Sequence, residues 1–423
     1  MKRVTQILLE AGRSLGLPVA PEAEIIAPLR PAKNQSKHDG PYALLIPCPD
    51  SSTEDTERDS HRARGQFLAR QDRWQDLVHD IRQSDQARKL TSGGMPVAEL
   101  LSYGARADVV LAVEHALLDG FPAKGAPILQ GIEDLEAMLE ECPGDEIMAA
   151  IVAQTHMDIG WAWRGNGWDS QVPAKNRAAF EAHFDRASEI LTSFMEKKSE
   201  SPLLKTAFCA QLCGHPEADL RLANDYEALI DLNPLNPGPM RAMGSYLLPR
   251  WFGNYAKLEL EARRTAARTQ HIWGAGAYTW VMFDAISGDD QACAQLDIEF
   301  FIEGLHDILQ RRPNQHTVNL LAAYCANTIG QAFSGHEVAD GNRALIADCA
   351  DWIVRKYLVE LHPMIWAHAA RGFDNTLRVR SARSFAAAGR ADALRIISNL
   401  FRPEISAGHR IIFTAEGPVA EHA

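Results

Sequence analysis

One rhythm constrains this chain more than any other property. Amphipathic stretches of about 12–20 residues, the usual length of globular helices, alternate with short breaks. The first break of each couple is a tight turn, such as Gly214-His215-Pro216, Phe252-Gly253-Asn254, Ser287-Gly288-Asp289 or Ala388-Gly389-Arg390. The second carries proline: Cys142-Pro143-Gly144-Asp145, Ser201-Pro202, Asn233 to Pro237, Arg312-Pro313-Asn314 and His362-Pro363. Glycine supplies the backbone freedom for the turn, and proline cannot continue a helix, so the unit this punctuation marks is a helical hairpin. A single hairpin cannot bury its apolar faces. Neighbours must stack to complete a core.

The stretches themselves read as helices. Leu222, Tyr226, Leu229 and Ile230 recur at i, i+4, i+7, i+8; Tyr255, Leu258, Ala262 and Ala266 form a second stripe, with Glu259 and Arg263 available as an i, i+4 ion pair. Ile346, Cys349, Ile353 and Tyr357 form a third. Alternating strand patterns are nearly absent; Arg410 to Thr414 is the one candidate, too short and isolated to predict a sheet. The expected class is all-α. Hairpins fall near 57–90, 95–142, 145–200, 203–237, 237–270, 273–312, 314–362 and 371–402. Before them, Pro18, Pro21, Pro28, Pro31, Pro41, Pro47 and Pro49 crowd a segment that predicts an extended linker or strap, with a Tyr42-to-Ile46 apolar run able to pack as one extended piece. The expected organisation is an N-terminal helix and Pro-rich arm over 1–55, a helical repeat domain over 56–402, and a tail with a short extended segment over 403–423.

Composition narrows the partners. The net charge of −12 argues against nucleic acid or an anionic membrane as the target, since both demand a basic face. The seven cysteines are an odd, scattered set in apolar surroundings and imply small buried hydrophobes, with no disulfide framework. No stretch has the length and apolarity of a membrane span, and Gln6, Glu10 and Arg13 interrupt the N-terminal apolar residues, so a cytoplasmic location is expected.

Between Leu203 and Gln270 the chain resembles the tetratricopeptide (TPR) repeat family. Leu203 and Pro237 start two units 34 residues apart. Tyr226 falls at the family's aromatic position, Pro234 at its closing proline, and Gly244 and Ala256 at its two small-residue positions. The resemblance implies a right-handed α-solenoid whose first helices line a concave face. On the two matching units that face would carry Ala207, Gln211, Arg241 and Ser245. Arg241 with Ser245 is then placed to hold a peptide carboxylate or an acidic side chain.

Chemistry is sparse. His156 and Asp158 make the most reactive-looking pair, but residues two apart on a helix point in different directions, which disfavours shared coordination. Cys209, Cys213 and His215 lack a fourth zinc ligand nearby. Gly12-Arg13-Ser14-Leu15-Gly16 has the spacing of a nucleophile elbow without its strand, His336-Glu337 lacks the second histidine of a metalloprotease, and Gly274-Ala275-Gly276 lacks the third glycine of a dinucleotide loop. Aromatic clusters stand out more: Trp161, Trp163 and Trp168; Trp251, Phe252 and Tyr255 with Arg250 beside them; Trp273, Tyr278, Trp280 and Phe283. Trp, Tyr and Arg dominate binding hot spots. The expected function is a non-catalytic scaffold or adaptor for a protein or peptide, with no cofactor and no metal. Its candidate contacts are Gln211, Arg241, Ser245, Arg250, Trp251 and Trp280. The alternatives are an enzyme, metal-assisted or not, with its site near His156 and Asp158, and a structural subunit of a larger assembly.

Overall fold

Helices begin where a cap meets an amphipathic stretch. The computed structural model describes residues 43–118, 121–122, 125–165, 169–195, 199–215, 217–371 and 381–422, and within them lie nineteen helices and three short strands. The helices come in couples. They are α1 (Thr53–Arg70) with α2 (Trp74–Gln86), α3 (Val97–Ala116) with α4 (Gln130–Glu141), and α5 (Glu146–Arg164) with α6 (Ala174–Thr192). Next come α7 (Pro202–Gln211) with α8 (Ala218–Leu232) and α9 (Gly238–Tyr246) with α10 (Tyr255–Arg268). The short α11 (Gln270–Trp273) leads into α12 (Gly276–Gly288), and the short α13 (Asp290–Ala294) separates it from its partner α14 (Ile298–Arg311). Helix α15 (Gln315–Ala323) runs on through a π-helical turn, Tyr324–Ile329, and pairs with α16 (Glu337–Tyr357). Helices α17 (Pro363–Ala369), α18 (Ala382–Leu400) and α19 (Arg402–Ser406) close the series. Seven of the eight expected hairpins each match one of these couples; the one near 371–402 is corrected, because its expected turn, Ala388-Gly389-Arg390, lies within the unbroken helix α18, where Gly389 packs close against the Pro363 carbonyl. The caps explain the starts: Ser52 forms a capping box with Asp55, and Asp145, Ser201, Asn254, Asp297 and Asn314 each accept a backbone N–H of the first turn.

First helices pack on first helices: α1 on α3, α3 on α5, α5 on α7, α9 on α12 and α15 on α17. The α1–α3 crossing is tight because each helix offers a glycine to the other's backbone. A Cβ on Gly65 would sit 2.1 Å from the Leu101 carbonyl oxygen, and one on Gly104 would sit 2.0 Å from that of Arg62. The stripes read from sequence face inward, with Leu222, Tyr226, Leu229, Ile230, Ile346, Cys349 and Ile353 all buried, and Glu259 pairs with Arg263 at 2.6 Å. The stacked pairs share two apolar cores rather than one continuous core. One runs from Leu68 to Phe208 and the other from Cys209 to Phe413, so they part between adjacent residues of α7. Successive residues on a helix point to different sides, and one short helix thereby feeds both.

Polar side chains fasten the breaks between couples. Arg88, just after α2, donates Nε to the Leu232 carbonyl (2.9 Å) and Nη2 to that of Glu200 (2.6 Å). Asp85 accepts the backbone N–H of Leu203 at the start of α7 (3.0 Å). Trp273 donates Nε1 to the Pro234 carbonyl (2.7 Å) and lies beneath Arg312. Asn319 spans the next break: its amide donates to the Glu360 carbonyl, and its oxygen accepts the His362 N–H and Trp366 Nε1. Breaks far apart in sequence are thus hydrogen-bonded into one framework.

One expectation is corrected. The isolated Arg410–Thr414 segment does build a sheet: β2 (His409–Thr414) pairs antiparallel with β3 (Gly417–His422) and parallel with β1 (Leu44–Leu45), with Leu44 opposite Ile411. Ile411 and Phe413 alternate into the core. The described part of the Tyr42-to-Ile46 run is therefore an edge strand, and the Pro47 carbonyl accepts the Leu361 N–H (2.8 Å) just ahead of α17. The two ends of the described chain are tied together. Residues 1–42 of the expected arm, with Gly12, Ser14 and Gly16, lie outside the described residues, as does Trp168. The described cysteines are all free. Among the described residues no helix is long and apolar enough to cross a membrane.

Candidate functional site

His156 and Asp158 separate as i, i+2 geometry requires. His156, fully buried in α5, directs Nε2 to Glu136 Oε1 of α4 (2.8 Å) and Nδ1 to His183 Nδ1 of α6 (2.9 Å). Glu136 is gripped from its other side by Arg186, at 2.7 Å and 2.6 Å. Burial works to raise the Glu136 carboxyl, but the Arg186 fork and His156 outweigh it and hold it at about 2. Burial lowers both imidazoles, His183 furthest, so both are neutral. The protons then follow. His156 donates Nε2–H to the carboxylate, its Nδ1 accepts from His183 Nδ1–H, and His183 Nε2 is left as a buried lone pair without a donor. This is a polar chain against the first core, with His156 and His183 fully buried and Arg186 partly exposed at its other end.

Asp158 turns the other way and accepts from Arg106 Nε at 2.6 Å. Arg106 also donates to Ser102 Oγ (3.1 Å), which donates to Gln154 Oε1 (3.1 Å). Glu99, one turn before Ser102, approaches Thr206 of α7, and burial raises its carboxyl to about 7 against the opposing pull of Arg106 and Thr206. Among the described residues no group of three or more His, Cys, Asp or Glu side chains is placed to hold a metal ion. Cys209 is in the core, while the Cys213 thiol, pushed up to about 11 by burial, shares a hydrogen bond with Tyr246. His336 caps α16 by accepting the Ala339 N–H.

The expected groove contacts fare unevenly. Ala207 and Gln211 are buried, at 0% and 4% exposure, and cannot meet a partner. Arg241 spends its guanidinium on Asp284 of α12, with both contacts at 2.8 Å, and Ser245 Oγ bonds back to the Arg241 carbonyl. The carboxylate clamp is thus filled from within the chain. Trp280 is also core, at 3% exposure, because α12 buries every residue from Gly276 to Ile286 except Asp284. Of the small-residue positions, Gly244 does lie at a close crossing, where a Cβ would come 1.8 Å from the Val281 carbonyl oxygen, whereas Ala256 is exposed.

Arg250 and Trp251 remain at the surface, in the turn between α9 and α10. That turn folds back on itself: the Trp251 N–H reaches the Leu248 carbonyl, the Phe252 N–H reaches that of Tyr246, and Asn254 caps α10 through the Lys257 N–H. The result sets Trp251 and Phe252 side by side, half-buried, with ring centroids 6.1 Å apart. Trp161 of α5 meets Trp251 edge-on at 6.3 Å, and the Arg164 guanidinium lies 5.5 Å from one ring and 6.0 Å from the other. Beside Trp251 opens a cleft of about 510 Å³, lined by His215, Asp219, Trp251, Phe252, Asn254 and Lys257. It offers aromatic faces, a carboxylate, an ammonium and an amide in one concavity. His215, Asp219 and Lys257 were not among the expected contacts. The available signal was that Gly214-His215 and Gly253-Asn254 each break the helical pattern in the middle of adjacent expected hairpins, and turns of adjacent hairpins lie at the same end of a stack.

Compared with known proteins, the chain matches no protein-family model, no curated protein and no solved structure.

Proposed function

We propose that this chain is a non-catalytic scaffold of helical-repeat type, coiled as a TPR-like right-handed solenoid, that holds a protein or peptide partner in the cleft beside Trp251. One observation carries the reading: the half-buried Trp251 indole and Phe252 ring of the α9–α10 turn, with Trp161 of α5 packed edge-on against Trp251, line an open concavity that also carries Asp219 and Lys257. Exposed aromatic faces beside satisfied polar groups are the anatomy of a binding hot spot, where a few anchors carry most of the energy. The titratable groups that would serve a reaction are engaged elsewhere: Glu136, His156 and His183 in one polar chain, and Asp158 on Arg106.

The test selects peptides against the full chain from a random display library and measures their affinity for point variants. Trp251→Ala is expected to weaken selected peptides about thirty-fold, the equivalent of a ~2 kcal/mol hot spot. Lys257→Glu is expected to shift preference away from acidic sequences. Peptides that bind both variants as well as the parent chain would remove this cleft as the site.

A further inference from the structure

A second cluster lies on α1, on the side whose charge reaches the start of α15 and α17. Arg58 and Arg62 stand one turn apart on α1. Arg58 Nη1 comes no closer than 3.9 Å to Asp55, whose carboxylate is already bonded to Ser52. Arg62 has no ion pair among the described residues; its guanidinium rests 4.9 Å from the centroid of the Tyr103 ring, which Arg106 also approaches at 5.4 Å. The Nε atoms of Arg58 and Arg62 are closed off without an acceptor. The remaining donor capacity is on their terminal nitrogens.

The Arg58 charge reaches His316 at the start of α15 and His368 on α17. Burial, with Arg58 adding to it, holds the His316 imidazole at about 4. Its Nδ1 has no partner. The acids facing this cluster are few: Asp55, the exposed Asp59, and Glu360, which is bonded to His362. Elsewhere arginine forks meet carboxylates, as in Arg186 with Glu136, Arg241 with Asp284 and Arg343 with Asp290. In a chain of net charge −12, two adjacent half-buried arginines that repel each other and lack a close carboxylate form an uncompensated positive site. Desolvating unpaired cations is costly, and an oxyanion is the complement that relieves it.

We propose that this cluster binds an oxyanion, the phosphate or carboxylate group of a small ligand, between the Arg58 and Arg62 guanidiniums, with His316 taking up a proton as the anion enters. Arginine suits the role because its planar fork matches phosphate and carboxylate oxygens. The approaching negative charge favours the imidazolium and so couples proton uptake to binding.

Calorimetric titration of the full chain with inorganic phosphate, and separately with acetate, at matched ionic strength tests this. Saturable one-to-one binding is expected, at least ten-fold weaker in the Arg58→Gln/Arg62→Gln variant, whose fold is checked by circular dichroism. Should that variant fail to fold, Arg62→Lys, which keeps the charge and removes the fork, is expected to weaken binding several-fold. Proton uptake, read from the dependence of the heat on buffer ionisation, is expected to vanish in His316→Asn. Phosphate binding without acetate binding assigns a phosphorylated ligand, and the reverse assigns a carboxylate. Absence of saturable binding of either anion, or equal binding by a folded arginine variant, overturns the proposal.

Discussion

Replacing Glu136 by glutamine tests the buried chain at its centre. The carboxylate sits at 6% exposure between Arg186 and His156 and titrates at about 2, against 4.5 for an unperturbed group. The folded value is depressed, so the stabilisation is fully present above the unfolded pKa and is lost as pH falls through the folded one. The difference of about 2.5 pH units corresponds to roughly 3 kcal/mol at neutral pH. That agrees in size with the ~3–5 kcal/mol lost on breaking a buried ion pair from one side. Glutamine keeps the volume and an oxygen for His156 Nε2–H, so the loss reports charge rather than packing.

The assay is urea unfolding of both proteins followed by helical circular dichroism, repeated from pH 8 down to pH 3.5. Above pH 5 the variant is expected to be less stable by a constant amount. The gap should hold to about pH 4.5 and narrow below it, most of the loss falling between pH 4.5 and 2, as the carboxylate of the parent chain takes up its proton. Two outcomes would refute the reasoning: a variant within about 1 kcal/mol of the parent at pH 7, or a gap that stays the same width at pH 3.5.

Three further outcomes are expected. Gly244→Ala should destabilise by about 1–3 kcal/mol because its Cβ meets the Val281 carbonyl, while Gly341→Ala on the open side of α16 should stabilise by about 0.5–1 kcal/mol; urea midpoints decide, and a stabilised Gly244→Ala contradicts the close crossing. His183 is held neutral well below its ordinary value, so the unfolded chain binds a proton that the folded chain refuses as pH drops below 6.5. Its share of the resulting loss, about 1.4 kcal/mol per pH unit, should disappear in His183→Gln, and an unchanged slope between pH 7 and 5 would speak against the neutral tautomer pair. Ile411→Ala, which removes a buried strand residue opposite Leu44, should cost about 2–5 kcal/mol locally and release the amides of 43–47 and 409–422 to hydrogen exchange together; protection retained in either segment would show that the sheet does not tie the chain ends.

The helical couples were legible because their signals are local. Proline after every second helix, glycine in the tight turns and Ser, Asp or Asn at the caps act within a few residues of where they stand. The sheet was not, because the contact that makes it joins Leu44 to Ile411 across almost the whole chain. Strand β3, Gly-Pro-Val-Ala-Glu-His, has no alternation to announce it, and only Gly417 in it is buried. The polar chain was half legible. That His156 and Asp158 diverge follows from helix geometry, but Glu136, His183, Arg186 and Arg106 come from other helices at separations that no spacing rule encodes. Arg241 was legible as a side chain at the front of a helix and illegible as a spent one, since Asp284 lies 43 residues onward.

The misplacement of Trp280 shows which signal should have decided. Trp251 and Trp280 look alike as members of aromatic clusters, yet one sits among glycine, asparagine and proline and the other within Ala277-Tyr-Thr-Trp-Val-Met-Phe283. A helix whose one charged residue is Asp284 has no broad face to spare for solvent, so its tryptophan belongs to the core. A turn residue packs on one side only. The same logic moves the proposed binding surface from the first-helix face to the turn ends. With Ala207 and Gln211 buried and Arg241 paired, the face implied by the repeat resemblance is sealed across α7 and α9. The turns stay open because capping and backbone hydrogen bonds hold them, leaving Trp251 and Phe252 free of structural duty on their outer sides. A surface built this way can change its side chains while the two cores keep the stack in place.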